Sequence, residues 1–198
     1  MKKVALAVAV FAVAAGFGLS AVSQAGTIVG SKHDLSSLTS TGGQICIVCH
    51  TPHKADTSVV DAPLWNHKLT TATYTLYDSP TFNGKATIGQ PAGVSKLCLS
   101  CHDGTVALDS FAGTTGTSMI AAAGDLGTDL KMSHPISFTF DATLITADGE
   151  LKAPPTGWVN NSKFECSSCH DVHNKSGVTK MLHIANTASA LCLSCHVK

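Results

Sequence analysis

The chain of 198 residues contains no arginine, and only 6% of its residues are aromatic. Its 13 basic residues, all lysines, equal its 13 acidic residues in number. Nucleic acids and anionic membranes attract concentrated positive charge, so neither is an expected partner. The scarcity of large apolar side chains predicts a small hydrophobic core, because such a chain buries little apolar surface by itself. Something other than side chains must then supply part of the core.

No long apolar run occurs after residue 26, so a membrane-spanning segment is not expected in that part of the chain. Residues 1–25, in contrast, have the layout of a secretory signal peptide. Two lysines precede an apolar run over residues 4–19, and Ser23-Gln24-Ala25 supplies small residues for cleavage. A membrane anchor is the alternative, but the run is short and diluted by alanine and glycine. We expect an exported chain that begins near Gly26 and keeps no integral membrane segment.

No cysteine stands alone: all eight belong to Cys-x-x-Cys pairs, and each pair is followed directly by histidine. This pattern is typical of c-type haem attachment, where two thiols form thioethers to the haem and the next imidazole binds the iron. Disulfides or zinc are alternatives, but neither explains the histidine. The predicted cofactors are four covalently bound c-type haems. The thioether cysteines are Cys46, Cys49, Cys98, Cys101, Cys166, Cys169, Cys192 and Cys195, and the proximal iron ligands are His50, His102, His170 and His196.

The motifs fall into two similar pairs. Residues 95–102 and 189–196 are identical at all but one position, and the other two motifs both read C-x-x-C-H-x-x-H. We therefore expect two dihaem modules, residues 26–103 and 131–198, within one compact tetrahaem unit. Residues 104–130, rich in glycine, alanine, threonine and serine, are predicted to be a linker in the form of a loop or weak helix.

Six histidines remain for the second axial position: His33, His53, His67, His134, His173 and His183. His53 lies one helical turn after His50, so it cannot bind the opposite face of the same iron and serves another haem or none. The same holds for His173. One upstream histidine per module completes the set, which makes His33, His53, His134 and His173 the predicted distal ligands. His67 and His183 stay open as alternatives to the upstream pair, and the methionines Met119, Met132 and Met181 are predicted to be packing residues.

The predicted fold is coil-rich, with mainly short helices around a closely packed chain of four c-type haems and little β-structure. A short helix is expected after each motif, and residues 136–140 are expected to form at most a short hairpin. Seven prolines interrupt longer elements. The aromatic side chains either pack against haem faces or form small local clusters; those considered are Trp65, Trp158, Phe82, Phe111, Phe138 and Phe140.

Several segments resemble the paired-motif multihaem cytochromes of metal-reducing bacteria. They are residues 31–35, Cys46–His53, residues 63–66, Cys98–Gly104, Ser133-His134-Pro135 and Glu165–His173. Size and motif count are most similar to tetrahaem members that polymerise into extracellular nanowires. The resemblance implies bis-histidine haems in a stacked chain, alternately parallel and perpendicular, with one distal histidine donated by the neighbouring subunit. His33, on the N-terminal arm, is the candidate for that donated ligand.

The expected function is electron conduction through these haems in metal or electrode respiration, with no bond chemistry and therefore no enzyme activity. Bis-histidine ligation implies low reduction potentials. Expected partners are other copies of the chain, other multihaem cytochromes, and extracellular metal oxides or electrodes. An extracellular or outer-surface filament is the expected location. The alternatives are a monomeric periplasmic electron shuttle and a multihaem reductase of a small molecule, which would need an open iron position.

Overall fold

In the computed structural model, which describes residues 27–197, most of the chain runs as turns and irregular backbone. Within this range, two α-helices form, α1 over Gly93–His102 and α2 over Ala142–Asp148. Two short strands, β1 over Phe138–Thr139 and β2 over Lys163–Phe164, pair antiparallel. Short 3-10 turns cover Thr39–Thr41, Cys166–Ser168, Thr179–Met181, Thr187–Ser189 and Cys192–Ser194. The predicted coil-rich fold is confirmed, while the predicted signal peptide lies outside the described residues.

Left-handed backbone is frequent in this chain. Twelve non-glycine residues of the described range have a positive φ, among them Leu64, Ser137 and Met181. L-residues seldom adopt this conformation because Cβ crowds the following carbonyl, at a cost of roughly 1–2 kcal/mol per residue. Local preference therefore does not set the path of the chain. Tertiary contacts hold these residues in place.

Helix α1 is capped by a side chain from far along the sequence. Its N-cap residue, Ala92, has no side-chain acceptor. Instead, Oε2 of Glu165 accepts the backbone N–H of Ser95 at 3.1 Å, and the Ser95 hydroxyl accepts the backbone N–H of Cys166 at 3.0 Å. Each segment satisfies a donor of the other, and a buried unsatisfied donor costs about 1–3 kcal/mol. This exchange joins the second Cys-x-x-Cys-His motif to the third.

Helix α2 and the strand pair build the largest of three apolar clusters in the described residues. The side chain of Asp141 caps α2 by accepting the N–H of Leu144 at 2.9 Å, and the helix ends at Gly149 with φ 74°. The strand found within residues 136–140 pairs with a distant segment instead of forming the hairpin expected there. The buried members of this apolar cluster are Phe138, Phe140, Leu144 and Phe164.

The other large aromatic side chains also sit in local contacts. Trp65 packs with Val59 and Leu97, and the Trp158 ring lies 4.8 Å from the ring of His183. Phe82 meets the edge of Phe138 at 5.2 Å between ring centroids. These contacts join the aromatic side chains to their protein neighbours, and packing against haem faces stays a prediction.

In the described residues no helix follows the first, second or third motif, so the expectation of a short helix after each of these motifs was wrong. Helix α1 contains the second motif and ends with it, and the residues after the first and third motifs leave the helical path at once. The N–H of Thr51 donates to the Leu64 carbonyl at 2.9 Å, and the N–H of Asp171 donates to the Met181 carbonyl at 2.7 Å. These donors bond across a loop, so they cannot continue a helical ladder. Residues 104–130 form turns and loops without a helix.

Candidate haem sites

Every Cys-x-x-Cys-His motif closes into one tight turn. The histidine N–H donates to the carbonyl of the first cysteine at 2.9 Å for His50, 3.1 Å for His170 and 2.9 Å for His196, and the motif ending at His102 lies within α1. Residues i, i+3 and i+4 of such a turn share one side. Each motif therefore presents its two thiols and its imidazole together, as haem attachment requires.

The thiols of these motifs are available for attachment. All eight cysteines are free, which is not the arrangement that the disulfide alternative requires. Residues 27–197 contain no group of three or more His, Cys, Asp or Glu side chains that could hold a metal ion. The zinc alternative, which needs four such ligands around one ion, therefore finds no site in that range.

Backbone carbonyls orient three of the four proximal histidines. Nδ1 of His50 lies 2.6 Å from the Pro63 oxygen, Nδ1 of His102 lies 2.7 Å from the Gly124 oxygen, and Nδ1 of His170 lies 2.9 Å from the Lys180 oxygen. A carbonyl oxygen can only accept, so Nδ1 carries the hydrogen in each ring. The lone pair is then on Nε2, the form in which an imidazole binds a metal.

The first and third motifs share one backbone framework. The N–H of Asn66 donates to the Cys49 carbonyl at 3.0 Å, and the N–H of His183 donates to the Cys169 carbonyl at 3.0 Å. The side chains match as well, since Asn66 Nδ2 donates to the Ile47 carbonyl at 2.5 Å and His183 Nε2 lies 2.8 Å from the Ser167 carbonyl. By its contacts, His183 corresponds to Asn66. His67, the other alternative distal ligand, makes different contacts.

Three proximal histidines each face a second imidazole at a similar distance. The ring centroids are 6.2 Å apart for His50 and His173, 5.8 Å for His33 and His102, and 6.4 Å for His134 and His196. An imidazole nitrogen binds a first-row metal at about 2.0–2.1 Å, which puts two rings on opposite faces of one metal about 6 Å apart. The three separations fit that arrangement. The interplanar angles are 14° for His50 and His173, 81° for His33 and His102, and 72° for His134 and His196.

His33 and His134 are held as neutral imidazoles. Burial, followed by the neighbouring His102 and His170, lowers the pKa of His33, and its Nδ1 lies 2.8 Å from the sulfur of Met181. Burial also lowers the pKa of His134, and its Nδ1 lies 2.9 Å from the carbonyl of Pro135. Both rings keep Nε2 for a metal. His33, the expected donor to a neighbouring subunit, thus lies against His102 of its own chain.

The two alternative distal ligands, His67 and His183, are placed differently. Only 1% of His67 is exposed, and its Nδ1 and Nε2 face the carbonyls of Lys68 at 2.9 Å and Ala107 at 3.0 Å. His183 turns Nε2 to the Ser167 carbonyl, as described above. Neither ring presents a free Nε2, so their contacts are those of structural side chains.

His53 and His170 take part in none of the imidazole pairs found in residues 27–197. His53 is exposed, whereas His170 is fixed by the Lys180 carbonyl. Among the methionines, Met132 is 97% exposed and Met119 is 50% exposed, while Met181 is buried against His33. Only Met181 therefore has the contacts of the predicted packing role.

A cleft beside the first motif has room for a bound group. Its volume is about 380 Å³, and its walls include Cys46, His50 and Leu64. The thiol and the imidazole that would hold a haem thus line the same open space. Together with the imidazole pairs, this cleft shows that the side chains fit the haem implied by the motifs.

Two residues of the site region carried no recognisable signal in the sequence. Glu165 caps α1, and Asp103 is a buried carboxylate directly after His102. Burial pushes the pKa of Asp103 upward, but hydrogen bonds from Thr70, Tyr74 and other donors outweigh it, so that the pKa lies below its ordinary value. An acidic residue beside a motif is common enough in any sequence that only its burial and partners single it out.

Residues 159–198 match a protein-family model described as a doubled CXXCH motif. The match indicates a multihaem c-type cytochrome, a class that binds haem covalently and transfers electrons. Only the second pair of motifs lies within the match. No curated protein matches the sequence significantly.

The helices of the described residues are short. None of the helices found between residues 27 and 197 has the length and apolar character that crossing a bilayer requires. Cytochromes of the c type are generally exported proteins.

Proposed function

We propose that the chain carries four haems and conducts electrons between them as a subunit of an extracellular filament. The observation that carries this proposal is the set of three proximal histidines that each face a second imidazole at 5.8–6.4 Å. Two imidazoles on one iron leave no open position for a substrate, so this ligation favours electron transfer over small-molecule reduction. When bound, the haems supply a one-electron carrier at each motif.

The proposed ligand sets follow from the pairs. His50 and His173 would hold the haem at Cys46 and Cys49, His33 and His102 the haem at Cys98 and Cys101, and His134 and His196 the haem at Cys192 and Cys195. The first set joins residues of both proposed modules. Residues 26–103 and 131–198 would therefore form one tetrahaem unit, linked by residues 104–130.

The haem at Cys166 and Cys169 requires a further distal ligand. His170 takes part in none of the imidazole pairs of the described residues, although His33 lies in its neighbourhood, and His53 is an exposed imidazole outside those pairs. We assign His53 as the ligand that one subunit donates to the His170 haem of the next. His33, tied to Met181 and His102, is less available for this role.

We propose a role like that of the tetrahaem nanowire protein outer-membrane cytochrome E, which the motif pattern resembles. The expected partners are further copies of the chain, other multihaem cytochromes, and extracellular metal oxides or electrodes as acceptors. Positioning and insulation of the haems are the tasks of the polypeptide. No residue is assigned a catalytic role.

Two measurements on the purified exported protein test the proposal. Pyridine haemochrome assay and intact mass should give four haems per chain, and electron microscopy should show polymers with haem absorbance. The variant His53→Ala should keep four haems but form no filaments, whereas His183→Asn, which copies Asn66 at the matching position, should polymerise normally. Fewer than four haems, or a monodisperse unmutated protein, would contradict the tetrahaem filament and favour a simpler cytochrome or a periplasmic shuttle.

A further inference from the structure

A buried carboxylate lies directly beside a proposed haem ligand. Asp103 follows His102 and is only 3% exposed. Its Oδ2 accepts the hydroxyls of Thr70 at 2.6 Å and Tyr74 at 2.5 Å. Its Oδ1 accepts the backbone N–H and the hydroxyl of Thr105 at 2.8 Å and 2.7 Å. Four donors therefore converge on one carboxyl group.

This arrangement identifies Asp103 as an anion. Each carboxyl oxygen lies within hydrogen-bond distance of two groups that can donate, and an ionised carboxylate accepts all four of these bonds at once. The donors are neutral hydroxyls and a backbone amide, and the ion pairs found in residues 27–197 do not include Asp103. Its negative charge is therefore solvated by hydrogen bonds but is not cancelled by a cation.

We infer that Asp103 lowers the reduction potential of the haem attached at Cys98 and Cys101. This inference rests on the proposed haem at that motif. Reduction adds an electron to the haem, and a fixed negative charge nearby disfavours the added electron. Asp103 is the residue directly after the ligand His102, and neighbouring Cα atoms are about 3.8 Å apart, so the backbone places Asp103 beside the proposed haem site. The buried setting screens this interaction less than bulk water would.

The variant Asp103→Asn tests the inference because it removes the charge and keeps the shape. Spectroelectrochemical titration of the full haem-loaded protein should resolve four one-electron components. One of them should move to higher potential, with about a tenfold greater reduced-to-oxidised ratio at fixed potential, equivalent to about 59 mV for a one-electron couple. Asp129→Asn, the same charge change at an exposed carboxylate that accepts only the Lys131 N–H, should leave all four components in place.

A second variant keeps the charge and weakens its solvation. Tyr74→Phe removes one of the two hydroxyls on Oδ2, so the carboxylate is less compensated and the same component should move to lower potential. This variant also decides the question if Asp103→Asn does not accumulate. An unchanged titration in Asp103→Asn, or an unchanged or upward-shifted component in Tyr74→Phe, would overturn the inference.

The two proposals fail in distinguishable ways. Peptide mass analysis of the segment that holds Cys98 and Cys101 shows whether haem is attached there. An unmodified segment would contradict the proposed function itself. An attached haem with an unmoved potential in Asp103→Asn would contradict only the role of Asp103.

Discussion

At the scale of single residues, the hydrogen bonds of the ring nitrogens separate two kinds of histidine. In one kind, Nδ1 donates a hydrogen bond to a backbone carbonyl and Nε2 stays free, as in His50, His102 and His170. In the other kind, Nε2 makes the hydrogen bond, as in His183 with the Ser167 carbonyl. Since a neutral imidazole has one donor and one acceptor nitrogen, the partner of one nitrogen decides what the other can bind. Residue type alone carries no such distinction.

This distinction predicts different results for two substitutions. His173→Ala should open one axial position, because His173 is the ring that faces His50. The reduced variant should then bind carbon monoxide at one haem in four, measured by the shift of its Soret absorption.

His183→Asn is the matched control for His173→Ala. It should bind no more carbon monoxide than the unmutated protein, because Asn66 shows that an amide can donate to the same kind of carbonyl. Carbon monoxide binding by His183→Asn but not by His173→Ala would reverse the proposed roles of the two rings.

At the scale of elements, the motifs are joined by contacts between short segments. Helix α1 begins at a residue without a capping side chain and takes its cap from Glu165, which precedes the third motif. Ser137 adds its hydroxyl to the same carboxylate oxygen at 3.3 Å. One side chain therefore connects α1, the strand region and the third motif.

Replacing Glu165 should weaken this junction. Glu165→Ala removes the acceptor for the Ser95 N–H, and loss of a helix cap costs about 0.5–2 kcal/mol. Guanidinium unfolding of the haem-loaded protein, followed by far-UV circular dichroism, should show a stability loss of that size. Glu150→Ala, the same change at an exposed glutamate, should have little effect. Equal losses in both variants would mean that the cap contributes no specific stabilisation.

At the scale of the whole molecule, apolar packing is thin. The buried apolar side chains of the described range form three separate small clusters. Twelve non-glycine residues also hold left-handed backbone, each at a cost in free energy. A chain with a small hydrophobic core and many residues in left-handed backbone conformation needs a further source of stability. We propose that the covalently bound haems supply it.

The chain produced without haem attachment should therefore be unfolded. We expect its near-UV circular dichroism to be flat and its thermal unfolding to lack a cooperative transition, whereas the haem-loaded protein shows both signals. Expression in cells that lack a cytochrome c maturation system supplies the test material. A cooperative transition in the haem-free chain would show that the three clusters suffice.

The fold class could be predicted from composition because a chain rich in glycine, threonine, serine and alanine, with few large apolar residues, forms little regular structure. The absence of helices after the first and third motifs could not be predicted, because the N–H groups of Thr51 and Asp171 donate hydrogen bonds to carbonyls across a loop. The left-handed backbone of Leu64 and Met181 could not be predicted from the sequence either. The carbonyls of these two residues accept hydrogen bonds across a loop, from the N–H groups of Thr51 and Asp171.

The sequence by itself determined the features that act within one turn. Cysteine spacing and the following histidine place two thiols and an imidazole on one side because helical turns have a fixed geometry. Which imidazole faces which was decided only by the tertiary structure. His50 meets His173, and His33 meets His102, across separations that residue spacing does not encode. The physical reason is that a long-range pair depends on the path of all the chain between its members, and here that path is irregular and set by tertiary contacts.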